Sequence, residues 1–161
     1  MLFWFSLSLL LLSLVLFYKL VFLFFDKHND IKKAFGLPFY YNVINHDLGE
    51  NPKPYYVWYK NLVGTPDVLF KLCILPYWIV GEAKSRSIAS STKQNKYPLL
   101  LREEYQMMLY LGIIKRKYPY SIVTGVFKFK DQTYPLKYKN KEFRHIYKHK
   151  NEAIRAKKCL R

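Results

Sequence analysis

The chain opens on a run of apolar positions with no polar period. From Leu2 to Phe17 only Ser6, Ser8 and Ser13 interrupt it, and after Tyr18-Lys19 it resumes from Leu20 to Phe25. A bilayer-crossing helix needs about 20 such residues, and a lysine near one end can extend its ammonium to the interface. The run therefore predicts a transmembrane helix over residues 1–25. A cleaved signal peptide would want a positive start and a small-residue cleavage site. No Lys or Arg precedes the run and no Ala or Gly occurs before Ala34, which favours an uncleaved anchor.

Beyond residue 25 the period changes several times. Asp26 to Phe35 predicts a short helix, capped by Asn29 or Asp30 and stopped at Gly36. Leu37 to Pro54 is rich in Asn, Gly and Pro and reads as loop, with a short strand at Tyr40 to Ile44. Tyr55 to Val63 alternates aromatic and polar residues and predicts a strand leading into Val68 to Leu72 and Tyr77 to Val80, two apolar strands that can pair. Ser85 to Tyr97 has no apolar period and reads as a loop. In Leu99 to Lys117 the residues Leu100, Met107, Leu111 and Ile114 form one helical stripe. Ser121 to Lys130 and Tyr134 to Tyr138 predict a hairpin, and a basic segment from Lys141 predicts a terminal helix. Helices alternating with short strands make an α/β domain over 26–161, with no internal repeat.

Charge changes this picture. Of 27 Lys and Arg, 26 lie beyond residue 25 together with all 11 Asp and Glu, a net +15 there. A domain with that excess meets a polyanion, nucleic acid or an anionic membrane surface. Lys27, Lys32 and Lys33 follow the apolar run closely, so the positive-inside rule places residues 26–161 in the cytoplasm. Lys128, Lys130, Lys137 and Lys139 recur at strand period, interleaved with Phe127, Phe129 and Tyr138, the pattern of a strand-tracking groove. Two cysteines, Cys73 and Cys159, exclude a disulfide framework and a four-cysteine metal site.

The candidate chemistry lies in the central stretch. Asp67 follows a Gly64-Thr65-Pro66 turn at the mouth of one strand, and the other ends in Gly81-Glu82-Ala83-Lys84. Alternation puts Glu82 and Lys84 on one face. If the strands pair, Asp67 comes near Glu82, giving two carboxylates and an ammonium around one point. Two such carboxylates make half of a Mg²⁺ site. Farther on, Arg102, Gln106 and Tyr110 stack at four-residue spacing on one helix face, and Arg86 and Lys93 in the loop are candidate phosphate contacts.

Pro66-Asp67, fourteen residues, Glu82-Ala83-Lys84, and then Gln106-Met107-Met108-Leu109-Tyr110: in this order the chain resembles the PD-(D/E)XK nuclease superfamily, RecB-like branch, over about Tyr55 to Tyr138. The resemblance implies a restriction-endonuclease-like core, a central mixed β-sheet flanked by helices. It implies a Mg²⁺- or Mn²⁺-dependent deoxyribonuclease with Asp67, Glu82 and the Ala83 carbonyl as metal ligands. Lys84 would orient or deprotonate the attacking water, and Gln106 and Tyr110 would hold the metal–lysine arrangement and the substrate strand. The branch's upstream metal-approaching His is matched best by His46, with His28 next, and its first-helix acid by Glu50. Nothing resembles a base-reading module, so DNA is expected as partner with little sequence specificity. The alternative is a non-catalytic, membrane-tethered protein binding DNA or anionic lipid through the same basic surface.

Overall fold

The computed structural model describes residues 2–24, 28–48, 52–60, 62–88 and 99–159, with side chains left out for 2–5, 19–20, 22–24 and 151–159. Helix α1 runs Leu2–Phe24, and its described side chains, Ser6 to Tyr18 and Val21, are exposed. Among the described residues no helix is long and apolar enough to cross a membrane. The transmembrane anchor expected over 1–25 is therefore not supported by the fold.

Helix α2 (Asn29–Ala34) ends where Gly36 takes φ +68°, a left-handed turn open to glycine at little cost. Strand β1 (Tyr41–His46) follows. The alternating segment expected as one strand is instead a small hairpin, β2 (Val57–Tyr59) paired antiparallel with β3 (Leu62–Gly64). Lys60, at φ 54°, supplies the reversal. Period 2 predicted the strand character but not the turn, because Lys60-Asn61 lacks the glycine that marks the strongest two-residue hairpin turns.

Strands β4 (Val68–Leu72) and β5 (Tyr77–Ala83) pair antiparallel, with Val68 opposite Gly81. Helix α3 (Leu101–Lys117) then crosses over to β6 (Ile122–Lys128), which lies parallel to β5, and β7 (Thr133–Lys137) returns antiparallel. The main sheet has the order β1-β4-β5-β6-β7. It is an α/β fold with a mixed central sheet flanked by helices.

Alternation sorts each strand between two cores. Leu69, Trp78, Val80, Val123 and Phe127 face α3 and α4 (Asn140–Cys159), where Met107, Met108, Leu111, Ile114 and Phe143 are buried. Val68, Phe70, Ile79 and Val126 face the other way, closed by Phe35 just after α2. Phe127 and Phe129 are buried to 1% and 0% exposure. The strand-tracking groove is corrected accordingly: those two rings fill the core, and only the interleaved lysines stay on the outer side.

Helices α3 and α4 meet closely because Gly112 has no side chain. A Cβ there would run into the Phe143 ring. Gly in a helix interior costs about 1 kcal/mol relative to Ala, but a clash of that depth with a buried ring outweighs the gain from Ala. Gly112→Ala is expected to destabilise by about 1–3 kcal/mol, read as a lower urea midpoint with unchanged slope.

Candidate active site

Three chain segments meet at one end of the β4–β5 pair. The ladder ends at Val68 opposite Gly81, and one step farther on Asp67 comes opposite Glu82. There the Asp67 side chain replaces a strand partner: its Oδ2 accepts the Ala83 N–H at 2.6 Å. On the β1 side, the Asp67 carbonyl accepts the Asp47 N–H at 2.7 Å. Glu82 shares the Asp67 face and is buried, 3% exposed. The Lys84 Nζ lies 3.3 Å from Glu82 Oε2 and over the Phe127 ring at 5.9 Å. Asp67, Glu82, Ala83 and Lys84 are thus brought together, with Ala83 contributing its N–H to the cluster.

Helix α3 secures the turn before Asp67. Gln106 Nε2 donates to the Tyr110 hydroxyl at 3.0 Å, which donates to the Thr65 carbonyl at 3.2 Å. The ring fits because position 64 is Gly, where a Cβ would run into Tyr110 Cε1. Gln106 and Tyr110 are therefore positioning residues for the loop carrying Asp67. Tyr110→Phe removes the bridge and leaves the ring, an expected loss of about 1 kcal/mol in stability. If the positioning role holds, the variant's affinity for Mg²⁺, followed by calorimetry, falls as well; an unchanged affinity would make the bridge purely structural.

The electrostatics follow from burial. The Glu82 carboxyl is pushed up to about 7, first by desolvation and then by the Asp67 charge, with Lys84 pulling it down. Burial also raises Asp67 above its ordinary value, against the opposing Ala83 N–H and Lys84. Tyr110 is raised by burial, with Glu82 and Asp67 adding to it. Two acids held this close disfavour being charged together unless further positive charge joins them.

Glu82 Oε1 is buried with no hydrogen-bond partner among the described residues, an arrangement that is costly unless something completes it. A buried, unpartnered carboxylate oxygen beside a second carboxylate suits a hard divalent cation, which takes oxygen ligands. Among the described residues no group of three or more His, Cys, Asp or Glu converges as a metal site, so protein side chains would supply only part of a coordination shell.

His46 is not brought to this cluster. It pairs with Val68, and directly paired residues share a face, so it sits on the face opposite Asp67 and Glu82. Its Nδ1–H donates to the Leu48 carbonyl at 2.8 Å, and its ring meets that of His28 at 4.8 Å. Glu50, and Lys93 within 89–98, lie outside the described residues.

The sequence reading passed over Glu103. It is buried, 6% exposed, and its Oε2 accepts both the Arg86 guanidinium at 2.6 Å and the Leu100 N–H at 3.0 Å. Burial alone would raise its carboxyl; the Arg86 and Leu100 contacts outweigh that and hold it below the ordinary value, with Lys84 also contributing. Arg86 stacks over Phe129 at 4.9 Å, while Asp131 takes the Ser87 hydroxyl and the Ile88 N–H. The segment just after Lys84 is thereby clamped from two sides. The one available signal was an acid at the third position of α3, which looks the same as any helix-start acid.

What fold and site define together is an α/β protein with an acid–acid–lysine cluster at one end of a mixed sheet. Comparison with protein-family models, curated proteins and solved structures finds no match.

Proposed function

We propose that the chain is a metal-dependent nuclease with a PD-(D/E)XK-type, restriction-endonuclease-like core. It hydrolyses DNA phosphodiester bonds with little sequence specificity. One observation carries the reading: Asp67, Glu82 and Lys84 meet at one point, with Glu82 Oε1 buried and, among the described residues, unpartnered. The strand order, with an antiparallel β1-β4-β5 meander and a helical crossover to a parallel β6, agrees with it.

Asp67 and Glu82, with the Ala83 carbonyl beside them, are the groups that would hold Mg²⁺ or Mn²⁺. When bound, such an ion supplies a Lewis acid for the phosphoryl oxygen and lowers the pKa of its water. Lys84 orients the attacking water and offsets charge gathering on the phosphate. Gln106 and Tyr110 keep the Asp67 turn in place through the Thr65 carbonyl. His46 has no part in this reading. The basic excess supplies phosphate attraction independent of sequence. A single-pass membrane anchor over 1–25, with the remaining domain in the cytoplasm, belongs to the reading on the apolar run and the lysines after it in the sequence alone.

The test is cleavage of DNA by the full chain with Mg²⁺ or Mn²⁺, compared with Asp67→Asn and Lys84→Ala. Cleavage lost in both variants supports the reading. Salt-sensitive DNA binding without cleavage, indifferent to chelator, replaces it with a non-catalytic DNA tether.

A further inference from the structure

The two ends of the main sheet differ in chemistry. At the Glu82 end lie Asp47, Asp67, Glu103 and Asp131. The opposite end is built from three segments, 38–41 before and at the start of β1, 71–77 across the β4–β5 turn, and 115–122 from the end of α3 into β6. The register brings them together: Tyr41 pairs with Leu72 and Tyr77 with Ile122, and the Ile122 N–H donates to the Pro76 carbonyl at 2.9 Å.

Those three segments contain no Asp or Glu and four cations, Lys71, Lys115, Arg116 and Lys117. They also leave six large apolar side chains in the open: Phe39 at 41%, Tyr40 at 39%, Ile74 at 69%, Leu75 at 59%, Tyr120 at 95% and Ile122 at 60% exposed. Single exposed apolar residues need no explanation, but a cluster at one end, rimmed by charge of one sign, does. Aromatic and aliphatic tips among lysines are what a bilayer interface selects, the rings at headgroup depth and the ammonium groups on anionic lipid. The Lys71 and Lys117 ammonium groups themselves lie over aromatic rings, Trp78 at 5.4 Å and Tyr55 at 5.3 Å, which holds both charges beside the aromatic surface. Nucleic acid fits this end less well. Ile74, Leu75 and Ile122 offer nothing to a phosphate, and protein–DNA surfaces are polar.

We infer that this end of the sheet docks directly on an anionic membrane surface and turns the Asp67–Glu82–Lys84 end away from it. The β5 strand separates the two ends by about 20 Å at a rise of about 3.3 Å per residue, so a polynucleotide at the far end clears the headgroups. The inference is independent of membrane anchoring by α1, since His28, four residues past that helix, lies against His46 at the carboxylate end, and it does not depend on nuclease activity.

The test places an environment-sensitive dye at Ile74→Cys or at Thr133→Cys, in the full chain carrying Cys73→Ser and Cys159→Ser. Both probe positions are exposed, and Thr133 pairs with Lys128 near the carboxylate end. The protein is mixed with vesicles of phosphatidylcholine containing phosphatidylglycerol, or of phosphatidylcholine alone, each carrying a nitroxide-labelled lipid. Quenching at position 74 several-fold above that at 133, only with the anionic lipid, supports docking. Each cation near such a surface is worth roughly fivefold in affinity, so Lys71→Gln with Lys117→Gln should weaken the quenching by more than about tenfold. Flotation reads the α1 anchor separately: protein that floats while both probes quench equally overturns docking and leaves the anchor standing. Failure to float together with absent quenching removes both. A response of the position-74 probe to DNA instead of vesicles overturns docking in favour of a nucleic-acid surface.

Discussion

Lys84→Ala is expected to lower the rate of DNA cleavage at saturating Mg²⁺ by about two to three orders of magnitude, the usual cost of losing one charge-stabilising donor from such a site. The reason is local. Lys84 is the ammonium that lies against Glu82, at 3.3 Å, and the burial of Phe127 beneath it fixes where that charge sits. Among the described residues no neighbour replaces it: the Arg86 guanidinium is engaged by Glu103 at 2.6 Å. Only 19% of the side chain is exposed and it lies over Phe127, so truncating it also removes packing and should cost about 1–2 kcal/mol of stability, a loss that leaves the chain folded. Asp67→Asn should be at least as damaging to cleavage, because one anionic ligand is lost while the side-chain oxygen can still accept the Ala83 N–H. A Lys84→Ala protein that folds, binds DNA and cleaves at the parent rate would end the catalytic role given to this lysine.

The residues of this cluster were legible before any coordinates because each rests on a short-range rule. Glu82 and Lys84 share a face by strand alternation, and Asp67 meets them through the antiparallel pairing of two adjacent strands. Gln106 and Tyr110 follow from helical spacing. What stayed hidden depends on longer-range choices. Whether His46 joins the acids is decided by the β1–β4 register, which slips between Val43 and Asn45; a slip of one residue moves a side chain to the other face. The Glu103–Arg86 pair joins residues 17 apart in sequence across a loop, and no local pattern marks it. For Phe127 and Phe129 the alternation was read correctly, but alternation does not tell which face α3 will cover. The hairpin turn at Lys60 was missed for want of a glycine or proline. The anchor is a different case, since a hydropathy pattern describes a run of residues and not their surroundings.

Glu82 yields the second large effect, one of stability. Its carboxyl titrates at about 7 in the fold against 4.5 when free. Below pH 4.5 both folded and unfolded chains hold the proton, and the group's contribution to stability is fully present. Between 4.5 and about 7 only the folded chain holds it, so stability declines as pH rises, by up to about 1.4 kcal/mol per pH unit. The total approaches about 3 kcal/mol, about 2.5 pH units at that slope, once pH is well above the folded value. A divalent cation at the same carboxylates competes with the proton. Mg²⁺ should therefore stabilise little at acid pH and strongly above about 7, by about 2.7 kcal/mol at a hundredfold excess over its dissociation constant. Binding near the midpoint should release protons, measurable by calorimetry in buffers of different ionisation heat. Glu82→Gln separates the two effects. A neutral amide cannot ionise in that buried position, so the metal-free variant should lose the decline and be more stable than the parent at alkaline pH. It should also lose the Mg²⁺ response and the cleavage together, the expected exchange of function for stability at a strained site. Unfolding curves for the parent that stay flat with pH and indifferent to Mg²⁺ would mean that Glu82 is charged and satisfied in the fold, and its open oxygen would no longer support a metal site.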